Sequence, residues 1–376
     1  MGLMTCVDCG RAAEAAEGYL RPEGFVCRVC HETRLQDPVY VARLERELLG
    51  LVGAATGQEE PARDDLPLGV PLEGPGRMAV DSLVGLAVAD ALGAPYEGHT
   101  FDPSGFVLRC PTPDSPAPWT DDTQMALSVV EVLLERGEID QDRLARAFAR
   151  RYDAWRGYGS GMHHMLLRLR SGGDWRGVRF GVFPDGSWGN GSAMRVAPLG
   201  AFFADRTIDV VAEQAARSAE VTHAHPEGVH GAVATAVCAW HAARSRDESA
   251  PAPAQLLAAV RAVLPADSGV ARGLQRAETL PPASSLAEAV SALGNGAKVS
   301  CVDTVPLAVW IVSRYLDDYE TAVETAVAAG GDTDTLAAIV GGIVTARVSP
   351  TGIPVAWRQA VEQLPLVEGT RAGPSA

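Results

Sequence analysis

Four carboxylates fall in two short runs, Thr120-Asp121-Asp122-Thr123 and Gly330-Gly331-Asp332-Thr333-Asp334-Thr335, and each run stands just before a strongly apolar stretch of helical character. A helix start needs only one Asp, Ser or Thr to accept a free backbone N–H, and the positive end of the helix favours one negative charge there. Capping therefore accounts for one acid per run and leaves the other unexplained. Brought together without compensation, four carboxylates repel and their pKa values rise. A hard divalent cation removes that conflict. Oxygen-only donors favour Mg²⁺ or Mn²⁺ over zinc, and a pair of ions about 3.5–4 Å apart forms a clamp for activating water. Asp332 and Asp334 lie two apart behind a pair of glycines, where an extended backbone can turn both towards one ion.

A second chemistry sits at the N-terminus. Four of the seven cysteines form Cys6-Val7-Asp8-Cys9 and Cys27-Arg28-Val29-Cys30, a CxxC-x17-CxxC pattern. That spacing predicts one structural Zn²⁺ held by Cys6, Cys9, Cys27 and Cys30, in a segment too short to fold without such a staple. Two disulfides, or a redox pair, are the alternative that a cytosolic setting disfavours. Cys110, Cys238 and Cys301 read as small buried hydrophobes.

Other positions carry weaker signals. Glu97 follows the breaker Gly93-Ala94-Pro95 and by itself is an exposed loop acid. Gly157-Tyr158-Gly159-Ser160-Gly161 precedes a helix, whose N-terminal N–H groups can cradle a diphosphate, although a plain turn gives the same pattern. Trp188 offers a flat apolar face of the kind a base stacks on, or a core ring. His223 and His225 suit Mg²⁺ poorly, and Asp303 fits an N-cap near a first-turn proline.

The elements that must position these residues are helical. Apolar residues recur at helical spacing over Met78–Leu92, Gln124–Arg136, Gln141–Trp155, Gly161–Leu169, Ser192–Phe203, Ile208–Ala219, His230–Ser245, Ala254–Val263, Ser284–Leu293, Thr304–Leu316, Tyr319–Ala328 and Thr335–Arg347, and period-2 stretches are nearly absent. The domain is therefore predicted to be all-α, with its chemistry on loops. The chain divides into a zinc-ribbon-like module (1–35), a short amphipathic helix and Gly/Pro/acid-rich linker (36–77), the main domain (78–365) and a tail expected to be disordered (366–376). Net charge of −15 argues against a broad nucleic-acid footprint, though a local basic face on the small module stays open, and Lys298 is the only lysine. The longest apolar run read, Val305–Val312, is too short to span a bilayer, and no charged n-region precedes an apolar core, so no membrane partner and a cytoplasmic location are expected.

Six stretches in order, from about Met78 to Pro365, resemble the dinuclear-magnesium ADP-ribosylglycohydrolases: Asp90-Ala91-Leu92-Gly93-Ala94-Pro95-Tyr96-Glu97, the first acidic run, Gly157–Gly161, Gly189-Asn190-Gly191-Ser192-Ala193-Met194-Arg195, Thr222-His223 and the second acidic run. The resemblance implies a compact multi-helix domain whose loops hold two Mg²⁺ (or Mn²⁺) through Thr120, Asp121, Asp122, Asp332, Asp334 and Thr335. It makes Glu97 a metal-adjacent glutamate for acid/base or gating work, with Asp122 and Asp334 beside it. It puts a pyrophosphate at Gly159, Ser160 and Gly161, ribose and adenine at Ser187, Trp188 and Asn190, and the distal ribose near His223. The implied activity is cleavage at C1 of the distal ribose of ADP-ribose attached to a protein or small-molecule acceptor. A catalytically silent ADP-ribose reader, and a hydrolase of ADP-ribosylated nucleic acid gripped by the zinc module, are the rival readings. One departure is Ala89, where the family commonly has Gly before the Asp of its first helix. The N-terminal module lies outside the resemblance.

Overall fold

Small residues set how closely the two central helices approach. The computed structural model describes residues 72–99 and 106–365, together with the backbone of four short strands in the first 27 residues. Helix α1 (Gly74–Gly93) packs lengthwise against the helix that ends the domain's core, Thr333–Val348, and both are buried over most of their length. A Cβ on Gly85 would fall 1.8 Å from Thr345 Oγ1, and one on Gly341 would fall 2.4 Å from the Ala89 Cβ. The alanine at position 89 is thus accommodated because glycine faces it.

Around this pair stand α2 (Asp121–Arg136), α3 (Gln141–Arg151), α4 (Ser160–Arg170), α5 (Trp175–Val178), α6 (Ala197–Phe202), α7 (Ile208–Glu220) and α8 (Pro226–Arg244). They are followed by α9 (Pro253–Ala262), α10 (Gly269–Thr279), α11 (Leu286–Leu293), α12 (Cys301–Tyr315), α13 (Tyr319–Ala328), α14 (Thr333–Val348) and α15 (Val355–Gln359). Helices α6, α8, α12 and α13 close over the central pair, while α9, α10 and α11 form an outer layer on α12. The core is mostly Ala, Val and Leu, with a minority of aromatic rings such as Phe148, Trp310 and Tyr319.

The expected all-α domain is what forms, with local corrections. Its first helix begins at Gly74, because Pro75 fits the first turn rather than ending a linker. The stretch expected as one helix from Ser192 to Phe203 is a 3₁₀ turn (Asn190–Ser192) and then α6, which restarts around Pro198. Helix α3 stops at Arg151, short of Trp155, and a separate 3₁₀ turn covers Ala154–Arg156. Helices α5, α10 and α15 had no counterpart in the sequence pattern; two glycines, Gly269 and Gly273, lower the propensity of α10, and both lie against neighbouring side chains. Helix α1 and its following turn, Gly74–Tyr96, are long and apolar enough to cross a membrane, yet 78% of the most apolar window is buried inside the fold.

At the N-terminus, β1 (Leu3–Thr5) pairs antiparallel with β2 (Ala12–Glu14), and β3 (Gly18–Arg21) with β4 (Gly24–Cys27). Cys27 closes β4; Cys6, Cys9 and Cys30 lie outside the described residues, as do the short helix expected over Asp37–Leu51, most of the linker and residues 366–376.

Candidate metal centre

The two acidic runs meet because α1 ends where α14 begins. A Cβ on Gly93 would stand 2.6 Å from the Thr333 carbonyl oxygen and 2.8 Å from Asp334 Cα, and the Thr333 hydroxyl donates to the Gly93 carbonyl at 2.9 Å. Just beyond, the Gly98 N–H donates to the Gly331 carbonyl (2.8 Å) and the Gly331 N–H to the His99 carbonyl (3.2 Å). These bonds hold the Glu97 turn against the second run, with Gly98 and Gly331 both at positive φ.

The result is two groups of three carboxylates, Asp90 with Asp122 and Asp334, and Glu97 with Asp332 and Asp334, each with oxygens mutually within 4.8 Å. Asp334 belongs to both. Asp121 lies outside these two groups, although Asp90, Asp332 and Glu97 all act on it electrostatically.

Hydrogen bonds fix the shape. Asp90, wholly buried, accepts from the Thr120 N–H (2.9 Å) and hydroxyl (2.7 Å) and from the Thr123 N–H (3.1 Å) and hydroxyl (2.5 Å). It therefore clamps the start of α2. Asp334 accepts the Thr335 N–H at 2.9 Å, and the Thr335 side chain bonds Asp122. Asn190 donates its amide to Asp332 (2.6 Å) and Thr304 (3.0 Å), while Asn295 accepts the Asp332 N–H through its carbonyl.

Burial, then the neighbouring carboxylates, push Asp121, Asp122 and Asp334 well above the ordinary carboxyl range. Burial raises Asp90 to about 6 despite its four donors, and burial with Asp332 raises Glu97. One oxygen of the buried Asp122, Oδ1, has no hydrogen-bond partner. An orphaned carboxylate oxygen among mutually repelling acids and hydroxyls is the donor set that a hard cation satisfies, so these residues fit Mg²⁺ or Mn²⁺.

The flanking residues lie as follows. Helix α4 begins without a side-chain cap after Gly159, leaving Ser160 and Gly161 at an open helix start. Gly157 adjoins the metal centre, since a Cβ there would come 3.9 Å from Asp121 Oδ1. Tyr158 is buried and donates to Gln124 at 2.8 Å. His223 is buried beneath Gly189 and Gly191, with Nδ1 2.7 Å from the Thr222 hydroxyl, which in turn accepts from Arg195. Burial, with Arg195 adding to it, lowers His223 to about 3, so the ring is neutral. Its Nε2 faces Gly189 and Gly191, within 3.4 and 3.6 Å of where their Cβ atoms would stand. Ser187 accepts the Gly189 N–H at 3.2 Å, and Trp188 is exposed. Asn190 is tied to Asp332 and sits in the metal centre's wall.

Asp90 is the residue that sequence reasoning left without a role. Its signal was a lone acid inside an apolar helix, Ala89-Asp90-Ala91-Leu92, with hydroxyls on both sides of the Asp121-Asp122 pair to meet it. Two readings are corrected: Cys110 is exposed whereas Cys238 and Cys301 are buried, and α12 starts at Cys301, so Asp303 sits in its first turn and accepts the Lys298 N–H.

A helical domain that gathers paired acidic runs at the junction of its first and last core helices is the architecture of a glycohydrolase class. The chain matches the ADP-ribosylglycohydrolase family over residues 76–372 and belongs to it. It is 30% identical to human ADP-ribosylhydrolase ARH3 over 322 residues, covering 74% of this chain and 88% of that protein. An uncharacterised protein of Archaeoglobus fulgidus is 32% identical over 302 residues (76% and 92% covered). A solved structure described as an ADP-ribosylglycohydrolase-related protein complex superposes with a TM-score of 0.57 at 27% identity, covering 77% of this chain and 94% of that one.

Proposed function

We propose that this chain removes ADP-ribose from ADP-ribosylated targets by hydrolysing the glycosidic bond at C1 of the distal ribose, with two Mg²⁺ (or Mn²⁺) at the acid centre. The observation that carries this reading is Asp334, shared between two three-carboxylate groups, with an unpartnered Asp122 oxygen beside it. Membership of the family and the relationship to proteins named ADP-ribosylhydrolase support the substrate class. When bound, the ions would polarise ligand oxygens and make water a better nucleophile.

The chain's own residues divide the remaining work. Asp122, Asp332 and Asp334, with Thr120, Asp121 and Thr335, hold the charged centre, and Asp90 and Asn190 keep its members in place. The open start of α4 receives the pyrophosphate, and neutral His223 orients the distal ribose through its Nε2 edge. The C1 bond breaks through an oxocarbenium-like state. Glu97, exposed at the edge of the centre with a raised pKa, gives its proton to the leaving-group oxygen as the C1 bond breaks and regains one from the water that adds to C1. Glu97→Gln tests this assignment: ADP-ribose should still bind while turnover on a panel of Arg-, Ser- and nucleic-acid-linked ADP-ribose falls at least about a hundredfold. Near-wild-type turnover would remove Glu97 from the chemistry.

The N-terminal zinc site remains part of the proposal, supported by the paired CxxC spacing and by the short β3–β4 hairpin that ends at Cys27. Elemental analysis of reduced protein should find about one Zn²⁺ per chain; none would exclude the Cys₄ site. Its proposed role is to recruit a macromolecular target, so deletion of 1–71 should spare hydrolysis of a small ADP-ribosyl substrate.

A further inference from the structure

Beside the acid centre a cavity of about 730 Å³ opens between α10, the start of α8 and the turn leading into α12. Asn295 joins the two: its carbonyl receives the Asp332 N–H, and the same residue lines the cavity. Trp188, 59% exposed and edge-on to His225 at 5.6 Å, lines it as well.

The charges around this cavity run against the rest of the chain. In a protein of net charge −15, Arg272, Arg276 and the only lysine, Lys298, all face it. The two arginines are four apart on α10, and each is anchored by a backbone carbonyl, Arg272 by Asp267 and Arg276 by Ala292 at 3.2 Å. Among the described residues neither has a carboxylate partner. The acids at the same cavity are already engaged. Glu227 accepts from Ser268 Oγ and from the N–H groups of Gly269 and Val270, capping α10, and Asp303 takes the Lys298 N–H with the Lys298 ammonium 3.6 Å away.

Fixed guanidinium groups without carboxylates, beside an exposed indole, match the chemistry of a phosphorylated nucleoside. We infer that this cavity is an anion subsite that takes a phosphate ester on the adenosine ribose of the ligand, beyond the pyrophosphate. The inference rests on the ADP-ribose reading of the acid centre and extends it. Two sources share this chemistry: a 2′-phosphate, and the phosphoribosyl group of a further ADP-ribosyl unit joined through the adenosine ribose.

Calorimetric titration in Mg²⁺ with ADP-ribose, ADP-ribose 2′-phosphate and an ADP-ribosyl dimer joined by a non-hydrolysable linkage at C1, on the full chain and on the double variant Arg272→Gln/Arg276→Gln, tests it. Both arginines are exposed, so the variant should fold, which circular dichroism checks. The wild type should bind at least one phosphorylated ligand about tenfold more tightly than ADP-ribose. That gap should shrink with added salt and close in the double variant, with ADP-ribose affinity unchanged. A gap for the 2′-phosphate alone names the first source, and one for the dimer names the second. ADP-ribose binding with no gap, or a gap that survives in the variant, overturns the subsite. Failure of ADP-ribose to bind the wild type overturns the acid-centre reading, and the subsite with it.

Discussion

The side-chain amide of Asn190 donates to Asp332 Oδ2 at 2.6 Å, reaching from the 3₁₀ turn before α6 to the residue that immediately precedes α14. The same amide nitrogen holds Thr304 of α12, so one buried asparagine ties three segments to a single carboxylate. Groups that orient a metal-binding carboxylate are worth tenfold or more in affinity. Asn190→Ala should therefore weaken Mg²⁺ binding about tenfold while leaving the helical signal intact, as measured by calorimetry and circular dichroism. Unchanged affinity would make Asn190 only a packing residue.

Asp90 offers a complementary case. Four donors from Thr120 and Thr123 converge on it, and an asparagine in its place presents N–H groups to some of them. Asp90→Asn should cost about 2–4 kcal/mol in denaturant unfolding and also lower Mg²⁺ affinity, because the start of α2 loses its clamp. Stability and affinity both equal to wild type would contradict that role.

Much of this centre was legible in the chain. Doubled acids at two helix starts predict a cluster of carboxylates, because capping explains only one, and Asp122, Asp332 and Asp334 do come together. Position Asp90 was harder to read, since an acid within an apolar helix gains its meaning only from Thr120 and Thr123, some 30 residues on. Helix α10 escaped the pattern because Gly269 and Gly273 depress its propensity while packing against Val302 and Pro306 repays it. The Glu97 turn's docking rests on backbone bonds to Gly331, which side-chain types do not encode.

The pH dependence of the metal-free protein has a definite sign. Asp90 rises from 3.8 to about 6 on folding, and Asp122 and Asp334 shift the same way, all chiefly by burial. A carboxyl raised in the folded state contributes stability below its unfolded value, and that contribution is lost as pH rises through its folded value. In chelator, Tm should therefore fall from about pH 4 to above about pH 6, and saturating Mg²⁺ should flatten the slope. A thermal scan in which Mg²⁺ leaves the slope unchanged would count against cation binding at this cluster.

Gly93 tests the helix junction itself. With Thr333 O at 2.6 Å and Asp334 Cα at 2.8 Å from a would-be Cβ, both atoms being backbone, Gly93→Ala must separate α1 from α14. The expected cost is about 1–3 kcal/mol in unfolding, with a larger loss in turnover because Asp334 moves away from Asp90. Wild-type stability would show that the junction relaxes freely.

The most direct measurement is calorimetric titration of Mg²⁺ into the metal-stripped wild type, Asp332→Asn and Asp334→Asn. Asp332 belongs to one three-carboxylate group and Asp334 to both. The wild type should take up two ions, Asp332→Asn should lose chiefly one binding step, and Asp334→Asn should lose both, along with release of free ADP-ribose from substrate. A wild type that binds no Mg²⁺, or an Asp334→Asn variant that binds it as the wild type does, would contradict the account.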